Sequence, residues 1–298
     1  GRCPRPPPPA TTFECARESA GQWTPSTPMG DSPTWSPQQR ARLAEWGVDR
    51  CVDVHCHCLP GLDDGPARLD DALALCAAQV DDGVTSVVAT PHQLGGYDRD
   101  NSPQRVRAAV AALADALVAR GIPLEVAPGG DVRIDERLAE LVAADQASTV
   151  ADLRRHLLLE LPFDLYVDPL SAIQSLAERG MQAILTHPER HRYLTGQTDR
   201  IASWVEAGAA VQLTAGSLLG DFGARANDEA WRLVHAGLAT IVASDAHDAA
   251  ARPPCLSEAL DLLAETVGPA AARALCLDNP LSVWRGEPVA PVRPGAMT

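Results

Sequence analysis

The stretch Cys51–Gly65, which reads CVDVHCHCLPGLDDG, contains the residues best suited to chemistry. It opens with the apolar pattern of a short buried strand, whose period of two places His55 and His57 on the same side. After a Leu-Pro-Gly turn, Asp63 and Asp64 bring carboxylate oxygens back toward the two imidazoles. Mixed imidazole and carboxylate donors suit Mn, Fe or Zn better than Mg or Ca. The spacing therefore predicts a metal site, with Asp64 as the ligand and Asp63 as a turn or cap residue.

Further candidate ligands follow the later apolar runs, in the motifs ATPH, PGGD, LELP, THPER and SDAH. These motifs supply His92, Asp131, Glu160, His187, Asp245 and His247. The carboxyl ends of parallel strands meet at one face of a barrel, so residues far apart in sequence become neighbours there. Five of the eight histidines lie at such ends. This clustering is the strongest functional signal in the sequence.

Seven apolar runs predict the strands that must position these ligands: 51–54, 86–89, 124–127, 157–161, 183–185, 210–213 and 240–242. Stretches of helical character lie between them, over 68–82, 103–120, 169–179, 200–207, 228–235 and 257–266. The alternation predicts an α/β fold with parallel strands and right-handed crossovers. An open doubly wound sheet would also fit, but polar residues at nearly every strand end favour a closed barrel. The sixth run supplies no ligand, and we expect a structural role for its Gln212.

Composition divides the chain into four segments. The first is rich in proline, which favours a disordered tail because proline cannot pair its backbone nitrogen. A short helix should follow, with Ser36 as N-cap, Pro37 in its first turn and Gly47 as its stop. The predicted boundaries are 1–36 for the proline-rich tail, 37–48 for the helical lead-in, 49–290 for the main domain and 291–298 for a second tail.

Charge and cysteine content exclude several classes of protein. The net charge of −14 over 298 residues argues against binding to nucleic acids or anionic membranes, which reward clustered Lys and Arg. We find no apolar run of membrane-spanning length and no signal-peptide pattern. The eight cysteines of this large chain are expected to be reduced thiols, which favours a cytoplasmic protein. None of them is followed by the Cys-x5-Arg spacing of a cysteine phosphatase loop.

The ordered motifs HCHCLPGLDDG, ATPH, PGGDVRI, LLLELP, THPER, TAGSLLGDFG and SDAHDAAARPP resemble the PHP (polymerase and histidinol phosphatase) superfamily. Within it, the chain is similar to the CpsB-type metal-dependent protein-tyrosine phosphatases of bacterial capsule and exopolysaccharide loci. The resemblance covers about residues 51–285. It implies a distorted seven-stranded, TIM-like (β/α)7 barrel, the PHP fold. It also implies two or three divalent metal ions, with Mn expected and Fe or Zn as alternatives.

The same resemblance implies a role for each motif residue. The first metal would take His55, His57 and Asp245, with Asp131 bridging to the second; the second would take His92, Glu160 and His187; the third would take Asp64 and His247. Arg190 and Arg252 match the family's phosphate-binding arginines and are the expected catalytic and substrate-binding residues. Asp131 stands where the family usually has Glu. Because Asp is one methylene shorter, either the backbone approaches more closely or one metal contact lengthens.

The implied reaction is hydrolysis of phosphotyrosine in proteins. Because no cysteine has the Cys-x5-Arg spacing, we expect that no covalent phosphoenzyme forms. The implied partner is the tyrosine-rich tail of a membrane tyrosine autokinase that controls polysaccharide export. A PHP phosphatase for a small substrate, above all histidinol phosphate, is the main alternative. A metal-binding regulatory protein without activity and a nuclease module are two others. The acidic composition argues against the nuclease, because a nuclease needs a basic groove.

Overall fold

The computed structural model describes residues 35–97 and 101–295. The predicted tail over 1–36 therefore lies outside the described residues, except for Trp35 and Ser36. In the described part, the strands are β1 (Val52–Cys56), β2 (Ser86–Ala89), β3 (His92–Gln93), β4 (Glu125–Pro128), β5 (Asp131–Arg133), β6 (His156–Glu160), β7 (Gln182–Thr186), β8 (Ala210–Thr214) and β9 (Ile241–Ala243). The α-helices are α1 (Pro37–Trp46), α2 (Leu69–Asp81), α3 (Pro103–Arg120), α4 (Leu138–Ala143), α5 (Leu170–Ala177), α6 (Thr198–Glu206), α7 (Ala215–Leu219), α8 (Ala224–His235), α9 (Leu256–Val267), α10 (Pro269–Arg273) and α11 (Asn279–Trp284). A π-helical turn over Ala274–Asp278 joins the last two helices.

The strands form two parallel sheets, which confirms the predicted α/β class with parallel strands. The smaller sheet has the order β1-β2-β4, and the larger has the order β3-β5-β6-β7-β8-β9. The strands β3 and β5 were not predicted. Each continues an earlier strand after a two-residue interruption, at Thr90-Pro91 and at Gly129-Gly130.

Close packing explains the glycines at the second interruption. A Cβ atom on Gly129 would lie 2.5 Å from Val88 Cγ1, and one on Gly130 would lie 2.6 Å from Gln93 Oε1. Such distances are well inside van der Waals contact, so only glycine fits at both positions without displacing its neighbour. The chain passes from the smaller sheet to the larger one at this point, and Asp131 opens β5.

The first and last strands of the chain lie side by side. Cys56 and Ala246 form a parallel bridge between them. The amide of Asp245 donates a hydrogen bond to the His55 carbonyl (2.8 Å), and the amide of His57 donates to the Ala246 carbonyl (2.9 Å). This contact brings the motif that follows β9 against the motif that follows β1.

Aliphatic side chains fill the interior on both faces of the strands. In β6, Leu157 and Leu159 pack into the core between strands and helices, whereas Leu158 belongs to a second apolar cluster on the opposite face. Burial on both faces is typical of parallel sheets covered by helices, and it explains the uninterrupted apolar runs in the sequence. No helix among the residues described is long and apolar enough to cross a membrane.

The segment before β1 is a capped helix that docks onto the domain. The Ser36 hydroxyl accepts from the Gln39 amide, and the Gln39 side chain accepts from the Ser36 amide, so both residues form a capping box at the start of α1. Gly47 ends this helix in the left-handed conformation, at φ 64°. The Gln39 side-chain amide donates to the carbonyls of Val84 and Pro123 and thereby fixes the helix to the domain.

Candidate metal centre

The structure brings all nine predicted ligands together into four overlapping groups. Within each group, one potential ligand atom per residue lies within 4.8 Å of the others. The groups are His55, His57 and Asp245; His55, Asp131 and His187; His92, Asp131 and Glu160; and His57, Asp64, His92 and His247. The overlap makes them one continuous centre at the ends of the strands.

The first group has the composition that the sequence predicts. His55 Nε2 and His57 Nε2 are 3.1 Å apart, and each lies 3.4 Å from Asp245 Oδ1. All three side chains are at most 2% exposed. Their ligand atoms therefore converge on one point from β1 and from the turn after β9.

Asp131 lies at the middle of the centre. Its Oδ2 atom is 3.4 Å from His92 Nδ1 and 3.8 Å from both His55 Nε2 and His187 Nε2. The aspartate therefore lies between two groups, although it is shorter than glutamate. His187 joins Asp131 and His55 in this arrangement, rather than His92 and Glu160.

Asp64 is the most exposed of the candidate ligands, with 51% of its side chain accessible. Its Oδ1 atom lies 3.2 Å from His247 Nε2 and 3.5 Å from His92 Nε2. It therefore closes the centre on the solvent side.

Two candidate ligands have strained backbones. His187 directly follows β7 and has a φ angle of 36°. Asp245 lies two residues after β9 and has a φ angle of 51°. A residue other than glycine in this region costs about 1–3 kcal/mol, and such residues concentrate at functional sites. The left-handed turn aims both side chains back over the strand ends.

Neighbouring acceptors set the tautomer of three histidines. His55 Nδ1 lies 2.8 Å from Gln212 Oε1, and His57 Nδ1 lies 2.6 Å from Asp63 Oδ2. His247 Nδ1 lies 2.9 Å from the Asp245 carbonyl oxygen. Because these acceptors hold a proton on Nδ1, each ring in its neutral form presents the lone pair of Nε2 to the centre, as metal-binding histidines generally do.

Asp63 therefore does more than form the predicted turn. Its Oδ1 accepts from the Gly65 amide, as a turn residue would, while its Oδ2 also accepts from the His92 amide. Asp63 and Asp64 thus have different environments: the first orients a histidine, and the second faces the shared space.

The donor set fits divalent metal ions. Several buried polar atoms at the centre have no hydrogen-bond partner among the described residues: His92 Nδ1, Asp131 Oδ2, Glu160 Oε1, His187 Nδ1 and His247 Nε2. Buried polar atoms without partners are costly, and a cluster of them requires an explanation. Imidazole and carboxylate donors that converge at these distances are explained by metal coordination.

The charges at the centre influence one another strongly. Burial lowers the pKa of His55 to about 4, so its Nε2 is unprotonated at neutral pH. Burial also opposes protonation of His57, but Asp63 and Asp245 raise its pKa to about 9. Burial would raise the pKa of the Asp245 carboxyl, yet His55 and the neighbouring histidines hold it well below its usual range. Metal binding at His57 must therefore displace a proton.

Arg190 and Arg252 reach the centre from two different loops. Arg190 Nη1 donates to Asp245 Oδ2 at 2.5 Å, and Arg252 Nη2 donates to the same oxygen at 2.8 Å. Both guanidinium groups therefore lie beside the first group and are available to an anion bound there.

Arg133 is a third arginine at the centre, and the sequence analysis missed it. Its Nε donates to Glu160 Oε2 at 2.8 Å. Arg133 lies two residues after Asp131 in β5, so the period of two places both side chains on the same face. That alternation was the available signal, but β5 itself was not predicted.

The described cysteines are free thiols, and none belongs to a candidate metal group. Burial raises the pKa of the Cys51 and Cys56 thiols well above the usual value and that of Cys255 to about 12. Thiols with raised pKa values are poor nucleophiles, because the thiolate is the reactive form.

The chain is similar in sequence to a family of known proteins. The family model described as "Capsular polysaccharide synthesis, CpsB/CapC" matches residues 51–285. The tyrosine-protein phosphatase YwqE of Bacillus subtilis is 36% identical over 220 residues, which cover 73% of this chain and 85% of YwqE. The putative tyrosine-protein phosphatase CapC of Staphylococcus aureus is 31% identical over 70% of this chain and 81% of its own length.

A solved structure supports the likeness in three dimensions. It comes from work on YwqE from Bacillus subtilis and CpsB from Streptococcus pneumoniae, described as unique metal-dependent tyrosine phosphatases. It matches with a TM-score of 0.76 and 33% identity, over 82% of this chain and 99% of the other. The chain belongs to the CpsB/CapC family of capsular polysaccharide synthesis proteins.

Proposed function

We propose that this protein is a metal-dependent protein-tyrosine phosphatase that acts in capsule or exopolysaccharide synthesis. One observation carries the proposal: buried, unpartnered histidine and carboxylate atoms converge beside two arginines. A metal cluster next to paired guanidinium groups is suited to a phosphate monoester. The named relatives favour a phosphotyrosine protein over histidinol phosphate as the substrate.

The nine predicted ligands would hold two or three divalent ions, for which we propose Mn²⁺. Divalent ions at such a centre supply charge neutralisation and an activated water at neutral pH. Gln212 and Asp63 keep His55 and His57 in the tautomer that presents Nε2. The strained turn at His187 holds its imidazole toward Asp131.

Arg190 and Arg252 would bind the phosphoryl oxygens. Each guanidinium group can offer two parallel N–H donors to a phosphate. Both contact Asp245 Oδ2, so a bound phosphate would exchange this contact for one with its own oxygens. Their positive charge stabilises the negative charge that accumulates on the phosphoryl oxygens in the transition state.

The leaving group needs little help from the protein. A tyrosyl phenol has a pKa of about 10, which makes it a far better leaving group than a serine alkoxide. We propose direct attack by water without a phosphoenzyme, because no cysteine in the sequence has the Cys-x5-Arg spacing of a phosphate-binding loop and the buried Cys51 and Cys56 thiols have raised pKa values.

We also propose that the two sheets together form one distorted barrel, in which the nine described strands occupy seven positions. In this arrangement β2 and β3 share one position, and β4 and β5 share another. The parallel pairings β2–β4 and β3–β5 and the bridge from Cys56 to Ala246 support it. The proposed partner is the tyrosine-rich tail of a membrane autokinase, and the proposed compartment is the cytoplasm.

The test is phosphatase activity of metal-stripped protein reconstituted with Mn²⁺, Zn²⁺, Fe²⁺ or Mg²⁺. We expect metal-dependent hydrolysis of a phosphotyrosyl peptide, and a loss of at least tenfold in His187→Ala and Arg252→Ala. Exposed residues of the same types, His235→Ala and Arg68→Ala, are the matched controls and should retain activity. The magnitude follows from the loss of one metal ligand or one charged phosphate contact.

Two results would contradict the proposal. A preference for histidinol phosphate over the peptide would overturn the substrate but leave the site intact. Activity that survives removal of metal, or that persists in His187→Ala, would overturn the metal centre as the catalytic site.

A further inference from the structure

The phenylalanines and tyrosines that the structure describes are concentrated around the metal centre. The whole sequence contains three of each. The described ones are Tyr97, Phe163, Tyr166, Tyr193 and Phe222. Each lies in ring contact with a residue of the centre or with another member of this set. The hydrophobic core of the described residues, in contrast, is built mainly from aliphatic side chains, together with Trp204, Trp284 and five cysteines. Tyr193 packs partly against this core, but core packing does not account for where the other four rings lie.

Phe163 has the most informative position. It follows Glu160 by three residues, in the loop between β6 and α5. Its ring stacks on the imidazole of His187, with centroids 5.8 Å apart and an angle of 16° between the planes. The guanidinium carbon of Arg190 lies 5.7 Å from the ring centre. Phe163 nevertheless remains 42% exposed. It therefore borders both a candidate ligand and a phosphate-binding arginine while keeping surface open to solvent.

The same loop continues as an exposed apolar patch. Large hydrophobic side chains that are exposed within the described part of the chain are few, and three of five lie here. Leu165 is 64% exposed and Tyr166 is 36% exposed. Apolar groups gathered beside a polar site, rather than scattered singly, mark an interaction surface.

The position of the phosphate determines where its organic group must go. A phosphate held by Arg190 and Arg252 has the buried ligands behind it, so its substituent points outward to the rim. Two rings border Arg190, those of Phe222 and Phe163, and Phe163 is the more exposed of the two and so the one that the substituent can reach. We infer that Phe163 stacks against the aromatic ring of the substrate and selects aryl over alkyl phosphomonoesters. This inference rests on the proposed phosphatase function and assigns a specificity-determining residue to it.

Phe222 has a different role and provides an internal comparison. Its ring lies 4.2 Å from the guanidinium carbon of Arg190 and 5.7 Å from that of Arg252. Contacts of this kind between guanidinium groups and aromatic faces are attractive. Phe222 is therefore a positioning residue for both arginines, and its loss should weaken every phosphate ligand equally.

The experiment compares Phe163→Leu with the metal-loaded wild type on peptides that differ only in phosphotyrosine or phosphoserine. Phe163→Leu should lose about two- to tenfold in kcat/KM for the phosphotyrosyl peptide, the range expected for one aromatic pair. Its activity on the phosphoseryl peptide should not change. In calorimetric titrations, phenylphosphonate binding should weaken by the same factor, while methylphosphonate and inorganic phosphate binding should not.

Three further variants make the test specific. Phe163→Tyr should restore the wild-type ratio, because it keeps the ring. Val118→Ala removes an apolar side chain that is 82% exposed on α3 and should have no effect. Phe222→Leu should weaken phenylphosphonate, methylphosphonate and phosphate to the same degree.

The results that would refute the role of Phe163 differ from those that would refute the proposed phosphatase function. A wild type that hydrolyses no phosphomonoester would refute the proposed function. A wild type active on phosphotyrosine, together with Phe163→Leu that binds phenylphosphonate as tightly, would refute only the role of Phe163. An equal loss for phenylphosphonate and inorganic phosphate in Phe163→Leu would also refute it, since the ring would then act on the arginine and not on the aryl group.

Discussion

The hydrogen bond between His55 and Gln212 allows the metal centre to be tested without touching a ligand. His55 Nδ1 and Gln212 Oε1 are 2.8 Å apart, and both residues are fully buried. Replacing Gln212 with leucine keeps the approximate volume but removes the acceptor. The imidazole then either buries an unpaired Nδ1–H or moves its proton to Nε2, the atom that faces Asp245 and Asp131.

The expected magnitude follows from this geometry. A buried donor without a partner costs about 1–3 kcal/mol. Loss of a residue that orients a metal ligand typically weakens metal binding about 10- to 100-fold, which corresponds to about 1.4–2.7 kcal/mol. Because burial lowers the pKa of His55 to about 4, protons do not compete with metal at His55 at neutral pH, and the change in metal affinity can be measured directly. We therefore expect Gln212→Leu to bind Mn²⁺ about 10- to 100-fold more weakly than wild type.

The assay is calorimetric titration of metal-stripped protein with Mn²⁺ at pH 7.5. Gln212→Glu retains an acceptor for Nδ1 and should bind at least as tightly as wild type. Gln174→Leu changes an exposed glutamine on α5 and should leave the affinity unchanged. An unaltered affinity in Gln212→Leu, with the protein folded, would show that His55 is not a ligand oriented in this way.

Three other perturbations have expected outcomes of the same kind. Chelation of the metal should lower the free energy of unfolding by about 2.7 kcal/mol relative to protein in a free metal concentration of one hundred times Kd. Identical denaturation curves with and without the chelator would contradict this. Burial lowers the pKa of His156 to about 4 from 6.5, so the unfolded chain binds more protons between these values and stability falls as the pH falls. Between pH 8 and pH 5, the free energy of unfolding of His156→Leu should therefore fall by about 2 kcal/mol less than that of wild type, as measured by urea denaturation. The control His235→Ala changes an exposed histidine and should show the same fall as wild type. Gly130→Ala should destabilise the fold by about 1–3 kcal/mol, because the added Cβ collides with the buried Gln93, and Gly96→Ala, which meets no described atom within 4 Å beyond its neighbours, should leave the melting temperature unchanged.

The main strands of this fold were predictable because each is a local pattern. The run of three leucines in β6 (157–159) is apolar on both faces, and a buried parallel strand requires that pattern wherever it lies. The two short strands β3 and β5 escaped prediction for the opposite reason. Each has only two or three residues, and each forms because its neighbour lies beside it, as His92 pairs with Asp131.

The division into two sheets is likewise a tertiary outcome. At the point where the chain leaves β4 for β5, Gly129 lies close to Val88 and Gly130 lies close to Gln93. A glycine pair in a sequence indicates only that the backbone has freedom there. Which side chain fills the space left by the missing Cβ depends on strand pairing.

The sequence by itself indicated the nine candidate ligands, because histidines and carboxylates follow the ends of its predicted parallel strands, and such ends meet at one face of a barrel. Only the tertiary structure decided how they interact. It placed Asp131 between two groups, selected Gln212 and Asp63 to orient histidines, and brought Arg133 to Glu160. It also put Phe163 on the rim. These relations depend on register and side-chain direction across distant strands, and a linear pattern carries neither.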